Sequence, residues 1–246
     1  MSKPERTKPR AILFDLDDTI LPGFARPDVA WREVVAALVD TARVDAVVEA
    51  IRAHSREFWA DPERHRQWRM TMPAARRRIV ADACAALAAT GHAAPDVATA
   101  EEIADRFTGY LDDAISILPD ASHVLDELRR RGFRLALITN GATAPQRAKI
   151  ERFDLAHRFD HVQIEEEAGV GKPEPAAYLR AMAKLGVAAS ETWMVGDNLE
   201  WEVVAPQRLG IFAVWADLHG RGLPPGGDVR PDMIVRTLSD LLPALG

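Results

Sequence analysis

A chain of 246 residues in which 48% are hydrophobic can bury a sizeable core, and this excludes a globally disordered protein. Its formal net charge of −6 at pH 7 argues against nucleic acid as the main partner. Because Cys84 is the single cysteine, an intrachain disulfide and a cysteine metal cluster are both excluded.

The N-terminal region predicts neither a signal peptide nor a membrane span. Residues 1–10 are polar and basic, and three aspartates at positions 15, 17 and 18 interrupt the apolar run that follows them. Elsewhere no run approaches the roughly 18 apolar residues that a membrane-spanning helix needs. We therefore expect a soluble, cytoplasmic protein without a membrane partner.

Residues 11–14 predict a strand that is buried on both faces, because four apolar residues run directly into the aspartates. Successive side chains of an extended segment alternate, so Asp15 and Asp17 share one side while Leu16 faces away. At the carboxyl end of a parallel strand they would line the ligand crevice of an open α/β sheet. Carboxylates held together repel one another, so the pattern predicts that positive charge is brought to this place.

The next hundred residues predict a helical subdomain that starts after a turn at residues 20–23. Helices are expected up to residue 89 and over residues 100–111, the second with Thr99 as its N-cap and Glu102 three residues later. No alternating strand pattern interrupts residues 23–118. One face of a helix with the 3.6-residue period is indicated by Val44, Val47, Val48, Ile51 and Phe58.

Beyond residue 119 predicted strands alternate with predicted helices, which indicates a parallel sheet covered on both faces. The strands are expected at residues 133–138, 161–164, 193–195, 211–215 and 233–235. The helices are expected at residues 122–131, 144–153 and 175–185, from residue 198 to 209, and at the C-terminal end.

Polar side chains follow three of these strands. Besides the aspartates after the first strand, Thr139 and Asn140 end a second, and Asp197 and Asn198 follow a later one. Lys172 precedes a predicted helix and can supply a cation to the same edge of the sheet. We therefore expect these groups to meet at the carboxyl ends of the strands.

The constellation resembles the haloacid dehalogenase-like superfamily of phosphohydrolases. Its four motifs are matched in order by Asp15-x-Asp17-x-Thr19, Thr139, Lys172 and Gly196-Asp197-Asn198, and the helical insertion is similar to the helical cap of that family. The resemblance implies an α/β fold with a three-layer Rossmann-like core and a mainly parallel sheet. Residues 1–22 and 119–246 would form this core, and residues 23–118 the all-helical cap.

The resemblance also implies a role for each matched residue. Asp15 would be the nucleophile that forms an aspartyl-phosphate, and Asp17 would protonate the leaving group and then activate water. Thr139 and Lys172 would bind the phosphoryl group, assisted by backbone N–H groups near Asn140 and Gly141.

A Mg²⁺ ion would be held by Asp15, the backbone carbonyl of Asp17 and Asp197. Similar phosphatases often carry a second aspartate five residues after the aspartate of the last motif. That place is taken here by Glu202, which we expect to reach the metal through water.

Plainer structural interpretations exist for several of these residues. Lys172 alone would usually be a surface lysine, and Asp197 could cap a helix as well as bind metal. Phe58, Trp59 and Trp68 are expected in the core of the cap. A solvated helix face is favoured for six cap arginines, although one or two of them, with His65, could contact an anionic substrate group; they are Arg64, Arg66, Arg69, Arg76, Arg77 and Arg78.

The function that fits best is a Mg²⁺-dependent phosphatase of a small phosphorylated metabolite. A sugar phosphomutase would keep the same acids, and a non-catalytic binding module on the same fold is a third hypothesis. A dehalogenase is disfavoured, because similar dehalogenases lack an acid at the position of Asp17. The natural substrate, and the choice between a monomer and a homodimer, stay open at this point.

Overall fold

The computed structural model describes residues 8–22 and 27–246, so the predicted turn residue Gly23 and the predicted start of the cap lie outside the described part. The strands are β1 (Ala11–Phe14), β2 (Arg134–Thr139), β3 (His161–Ile164), β4 (Thr192–Gly196), β5 (Phe212–Ala216) and β6 (Met233–Val235). The α-helices are α1 (Pro27–Ala36), α2 (Thr41–Ala60), α3 (Pro62–Trp68), α4 (Met72–Ala89), α5 (Val97–Ala114), α6 (Ala121–Arg130), α7 (Thr143–Arg152), α8 (Glu165–Ala168), α9 (Pro175–Leu185), α10 (Ala205–Arg208) and α11 (Leu241–Ala244).

The six strands form one parallel sheet in the order β3-β2-β1-β4-β5-β6. Strand β1 lies in its middle, with Ala11 paired to Arg134 of β2 on one side and to Thr192 of β4 on the other. The strand order reverses between these neighbours, and ligands of open α/β sheets bind at such a switch point. The predicted α/β class with a Rossmann-like parallel sheet is therefore confirmed.

The sheet is buried because helices cover it with apolar side chains. All four residues of β1 are buried, as the unbroken apolar run predicted. Helix α9 contributes much of the cover through a helical stripe that packs on the strands, made up of Tyr178, Ala181, Met182 and Leu185.

The chain divides into two compact units, Met1–Pro22 with Ser116–Gly246, and Gly23–Ile115. The boundary between the helical unit and the sheet-containing unit lies between residues 115 and 116, three residues before the boundary predicted between residues 118 and 119. Inside the helical unit, α2 buries the five apolar residues that its periodicity indicated. Trp31 and Phe107 stack in the same core with their ring centroids 3.4 Å apart.

A second cluster of the helical unit contains Phe58 with Trp59 and Trp68 packed against it, which confirms the prediction that these aromatic residues belong to its core. The predicted N-cap at Thr99 is wrong. Helix α5 begins after Asp96, whose side chain accepts a hydrogen bond from the Thr99 N–H at 2.8 Å. An ionised carboxylate is a stronger acceptor than a hydroxyl, so the helix starts one turn earlier. Of the described helices, none has the length and apolar character that a bilayer crossing requires.

Candidate active site

Asp15 and Lys172 form a buried ion pair at the carboxyl end of β1. The Asp15 N–H donates to the Val195 carbonyl at 3.0 Å, so the residue continues the pairing of β1 with β4. Lys172 is fully buried, and its Nζ lies 2.5 Å from Asp15 Oδ1 and 2.7 Å from Glu202 Oε1. Thr19 donates its hydroxyl to the other Asp15 oxygen at 3.2 Å. Both oxygens of Asp15 therefore have fixed partners.

The charge of Lys172 is maintained by these two acids. Burial alone would lower the pKa of the Lys172 ammonium, but the negative charges of Asp15 and Glu202 together outweigh burial and raise the pKa above its ordinary value. A buried cation of this kind can offset the negative charge of Asp15 and that of an incoming anion.

Glu202 reaches Lys172 because Gly196 has no side chain. A Cβ at Gly196 would lie 2.0 Å from Glu202 Cγ, so the glutamate occupies the space above the end of β4. The Asn198 N–H donates to Glu202 Oε2 at 2.9 Å and holds the carboxylate there. The predicted contact of Glu202 with a metal through water stays a prediction, because in the structure its carboxylate is directed to Lys172.

Asp197 follows β4 and is half-buried. It does not cap the next helix, which was the plainer interpretation of this residue, because Asn198 accepts from the backbone N–H groups of Glu200 and Trp201 at 3.0 and 3.1 Å. Among the described residues none donates a hydrogen bond to the Asp197 carboxylate. Burial, followed by the charges of Asp15 and Glu202, raises its pKa to about 8. An acid that lacks donors and has acidic neighbours is suited to bind a cation.

Asp17 lies near two residues that the sequence analysis did not single out. Lys149 Nζ donates to Asp17 Oδ1 at 2.7 Å, and Gln146 Nε2 donates to Asp17 Oδ2 at 2.9 Å. Both come from α7, one turn apart. The signal that could have found them is a polar pair three residues apart on the helix that follows Thr139-Asn140-Gly141.

The end of β2 brings Thr139 and Asn140 to the same edge. Thr139 is buried and accepts a hydrogen bond from Gln146 at its hydroxyl oxygen. The Asn140 side chain brackets Lys172, since it donates to the Lys172 carbonyl at 2.7 Å and accepts from the Lys172 N–H at 2.8 Å. Asn140 thus ties β2 to the segment that carries the buried lysine.

Gly141 has a different partner from the one that phosphate binding requires. Its N–H donates to Glu165 Oε2 at 3.0 Å, and Glu165 is buried at the start of α8. Direct binding of phosphate by this N–H therefore stays a prediction that requires the Glu165 contact to be exchanged.

Four of the six cap arginines singled out in the sequence fall into two groups. Arg77 and Arg78 are exposed and pair with Asp105 and Asp82 at 2.7 Å, which fits the solvated helix face that was expected. Arg69 is buried, and Arg76 lies 5.8 Å over the ring of Phe107. Neither of these two belongs to a solvated face.

The stability of the metal-free protein should fall as the pH rises from about 5 to about 8. Burial and neighbouring charge raise the pKa of Asp197 to about 8 and that of Glu202 to about 7, from ordinary values of 3.8 and 4.5. In this window the folded protein keeps protons that the unfolded chain has released, so their loss at higher pH costs stability. Urea unfolding across the window should show this slope.

Asp197→Asn removes one of these titrating groups and should flatten the slope. Asp126→Asn makes the same chemical change at an exposed ion pair with Arg158 and should leave the slope as it is. An Asp197→Asn variant with the slope of the wild type would contradict the assignment.

The sequence of this chain is similar to a protein family and to several characterised enzymes. A family model described as haloacid dehalogenase-like hydrolase matches residues 9–210. Phosphoserine phosphatase from Thermus thermophilus is 42% identical over 126 residues, which span 51% of this chain and only 49% of that enzyme. Glyceraldehyde 3-phosphate phosphatase from Methanopyrus kandleri is 29% identical over 210 residues, which span 83% of this chain and 82% of that enzyme.

Solved structures share the fold along nearly the whole chain. The HAD-hydrolase YfnB from Bacillus subtilis, in a form bound to magnesium, has a TM-score of 0.69 at 22% identity and covers 98% of this chain and 100% of its own. The 2-haloacid dehalogenase from Pseudomonas syringae pv. Tomato has a TM-score of 0.59 at 26% identity, with 96% of this chain and 97% of its own covered.

Proposed function

The chain belongs to the haloacid dehalogenase-like hydrolase family, and from this premise we propose that it hydrolyses the phosphomonoester of a small metabolite with Asp15 as nucleophile. The observation that carries the proposal is the buried Asp15–Lys172 pair, with its 2.5 Å contact at the switch point of the sheet. The two relatives described above are named as phosphatases of different small molecules, phosphoserine and glyceraldehyde 3-phosphate. The substrate class is therefore a small phosphorylated metabolite.

The first step forms a bond between a carboxylate oxygen of Asp15 and phosphorus. The bond from phosphorus to the alcohol oxygen breaks, its electron pair goes to that oxygen, and a protonated Asp17 supplies the proton. The products of this step are the free alcohol, an aspartyl-phosphate at residue 15 and the Asp17 carboxylate.

The second step reverses the role of Asp17. Its carboxylate takes a proton from water, and the water oxygen attacks phosphorus. The bond to Asp15 breaks with its electron pair on the carboxylate, so inorganic phosphate leaves and both aspartates return to their first state.

Lys172 and Thr139 make the attack of one anion on another feasible. Two unit negative charges 4 Å apart repel by about 4 kcal/mol at an effective dielectric of 20. The Lys172 ammonium offsets this repulsion, since it contacts the Asp15 carboxylate and is fully buried, so that solvent does not screen its charge. The Thr139 hydroxyl oxygen accepts from Gln146, and its proton, which is donated to the Asn140 carbonyl at 3.5 Å, would be redirected to a phosphoryl oxygen when substrate binds.

The donor set fits Mg²⁺, the cation that the family generally uses. Asp15, the backbone carbonyl of Asp17 and Asp197 offer oxygen atoms only, and Mg²⁺ prefers one or two carboxylates with several waters to an all-protein cage. In the described residues no group of three His, Cys, Asp or Glu side chains is arranged to hold a metal, so the proposed site depends on two carboxylates, one backbone carbonyl and water. When bound, the ion would supply further positive charge against the phosphate.

Removal of divalent metal with a chelator should abolish phosphate release, and Mg²⁺ should restore it. Mg²⁺ should also raise the melting temperature of the wild type, because a ligand that binds only the folded state stabilises it. Asp197→Asn should lose this thermal shift, whereas the exposed Asp126→Asn should keep it. Hydrolysis that proceeds unchanged in the chelator would contradict the metal site.

A panel of phosphorylated organic acids, sugars and nucleotides, assayed with Mg²⁺ for phosphate release, tests the activity itself. Transfer of label between two positions of a sugar phosphate without phosphate release would favour a phosphomutase. If no member of the panel, nor an activated aryl phosphate, is hydrolysed, the alternative of a non-catalytic binding module gains the advantage.

A further inference from the structure

The carboxylate of Asp17 is held at both of its oxygens by one helix. Lys149 Nζ lies 2.7 Å from Oδ1 and Gln146 Nε2 lies 2.9 Å from Oδ2. The two donors are 132 and 129 residues away from Asp17 along the chain, so their contact is a product of the tertiary fold. Donors at both carboxylate oxygens favour one rotamer of Asp17 over the others.

Gln146 also connects Asp17 to the neighbouring strand. Its side-chain nitrogen also lies 3.0 Å from the Asn140 carbonyl oxygen and within donor distance of the Thr139 hydroxyl oxygen, so its two N–H groups are shared among these two oxygens and Asp17 Oδ2. An ionised carboxylate only accepts hydrogen bonds, which requires the NH₂ end of the amide to face Asp17. One amide group therefore sets the spacing between the proposed proton donor and the proposed phosphoryl binder.

The contacts of Asp17 with Gln146 and Lys149 are more buried than those of an ordinary surface ion pair. Gln146 is 3% exposed, and the side chains of Lys149 and Asp17 are 19% and 32% exposed. Arg147, their neighbour on α7, instead pairs with Glu167 and is 48% exposed. One side of helix α7 therefore contacts Asp17 through Gln146 and Lys149, and another side carries Arg147, which is partly exposed to solvent.

We propose that Gln146 and Lys149 are positioning residues that orient the Asp17 carboxyl group, which in its protonated form transfers a proton to the leaving group. The inference rests on the proposed phosphatase activity. A carboxylate has about four lone-pair sites, so each oxygen keeps one site for the transferred proton while it accepts from its positioning residue. Misplacement of a reacting group by about 1 Å can cost roughly 100-fold in rate, which is why such orientation matters.

The test compares two substrates that differ in their need for a proton. The alkoxide that leaves glycerol phosphate must be protonated, whereas the nitrophenolate that leaves p-nitrophenyl phosphate departs as a stable anion. We measure kcat/KM for both, because this ratio reports the steps up to loss of the alcohol. For Lys149→Met we expect a fall of roughly 10- to 100-fold on glycerol phosphate and of less than about threefold on p-nitrophenyl phosphate.

Further variants separate orientation from a general structural effect. Lys149→Arg should recover much of the loss, because it restores a charged donor. In an Asp17→Asn background the added Lys149→Met change should cost less than about twofold, since the group that it orients is already lost. Arg147→Met removes a positive charge from the same helix without contacting Asp17 and should leave both kcat/KM values unchanged.

The outcomes distinguish the inference from the proposed function. Equal losses on the two substrates, or a full loss in the Asp17→Asn background, would overturn the positioning role and leave the phosphatase intact. A wild-type protein that hydrolyses neither of these substrates nor any member of the panel in the presence of Mg²⁺ would overturn the proposed function, and the positioning role with it.

Discussion

Asp15→Asn is expected to lower the rate of phosphate release by at least about 10⁴-fold, because loss of a covalent nucleophile can cost about six orders of magnitude. The amide has nearly the size of the carboxylate but cannot attack phosphorus. The fold should persist, since the Lys172 ammonium keeps its 2.7 Å contact with Glu202. Phosphate release in the presence of Mg²⁺, together with circular dichroism and a thermal melt, measures both parts of the expectation.

Asp126→Asn provides the matched control. The same atom replacement is made there on an exposed ion pair with Arg158, and the activity should be that of the wild type. Turnover by Asp15→Asn at more than about 1% of the wild-type rate would remove Asp15 from the role of nucleophile.

Lys172→Met is expected to lower the free energy of unfolding by about 3–5 kcal/mol near pH 8, the usual cost of removing one partner from a buried ion pair. Methionine fills most of the space of the lysine stem, so the loss reports charge more than volume. Asp15 and Glu202 are then left buried together without their cation. Phosphate release should fall steeply as well, since Lys172 is the buried side-chain cation in contact with the proposed nucleophile Asp15.

The destabilisation should shrink near pH 6. Burial has already raised the pKa of Glu202 to about 7 in the wild type, and removal of the Lys172 charge moves it further upward. Because the folded state of the variant holds protons that the unfolded chain releases, its stability falls as pH rises through this range. Urea unfolding of the metal-free protein at the two pH values measures the difference.

A second substitution makes this expectation specific to the ion pair. Lys172→Met combined with Glu202→Gln should recover part of the lost stability, because one buried charge has been removed. Lys184→Met, on an exposed position of α9, should change the stability little. A destabilisation of Lys172→Met that is the same near pH 6 and pH 8, and that Glu202→Gln does not relieve, would mean that packing rather than charge is responsible.

The sequence was sufficient to predict the core sheet because its signals are local. Four apolar residues before Asp15 define β1, and the short strands around residues 161–164 and 233–235 lie where their patterns placed them. The polar strand ends were visible for the same reason, since each follows its own strand within a few residues.

The partners of Asp17 were not predictable in this way. Helix α7 has a composition typical of a solvated helix, and only the packed sheet reveals that Gln146 and Lys149 face Asp17. The N-caps were equally hard to predict. Asp96 caps α5 in place of Thr99, and Asn198 caps the helical segment after β4 in place of Asp197, because both candidates in each pair have side chains that accept hydrogen bonds.

The contact of the Glu202 carboxylate with Lys172 was not predicted, because Glu202 lies in an irregular helical segment. The predicted regular helix after Asp197 is instead a π-helical segment, Leu199–Val204, that continues into α10. Widened turns of this kind are frequent at functional sites. Together with the missing side chain of Gly196, this turn brings the longer glutamate to Lys172, and neither effect is visible in residue spacing.

The central place of β1 in the sheet has a consequence for synthesis on the ribosome. Strand β1 pairs with β4 through Ala11 and Thr192, and Asp15 meets Lys172 from 157 residues away. At about 5–20 residues per second, β1 waits about 10–40 seconds for β4 to be made. During this time the edge of β1 that pairs with β4 stays open, even after β2 has been made and can pair with the other edge, which makes this apolar strand a target for chaperones or for mispairing. Asp15, the proposed nucleophile, is thus translated long before Lys172, which it contacts in the folded protein.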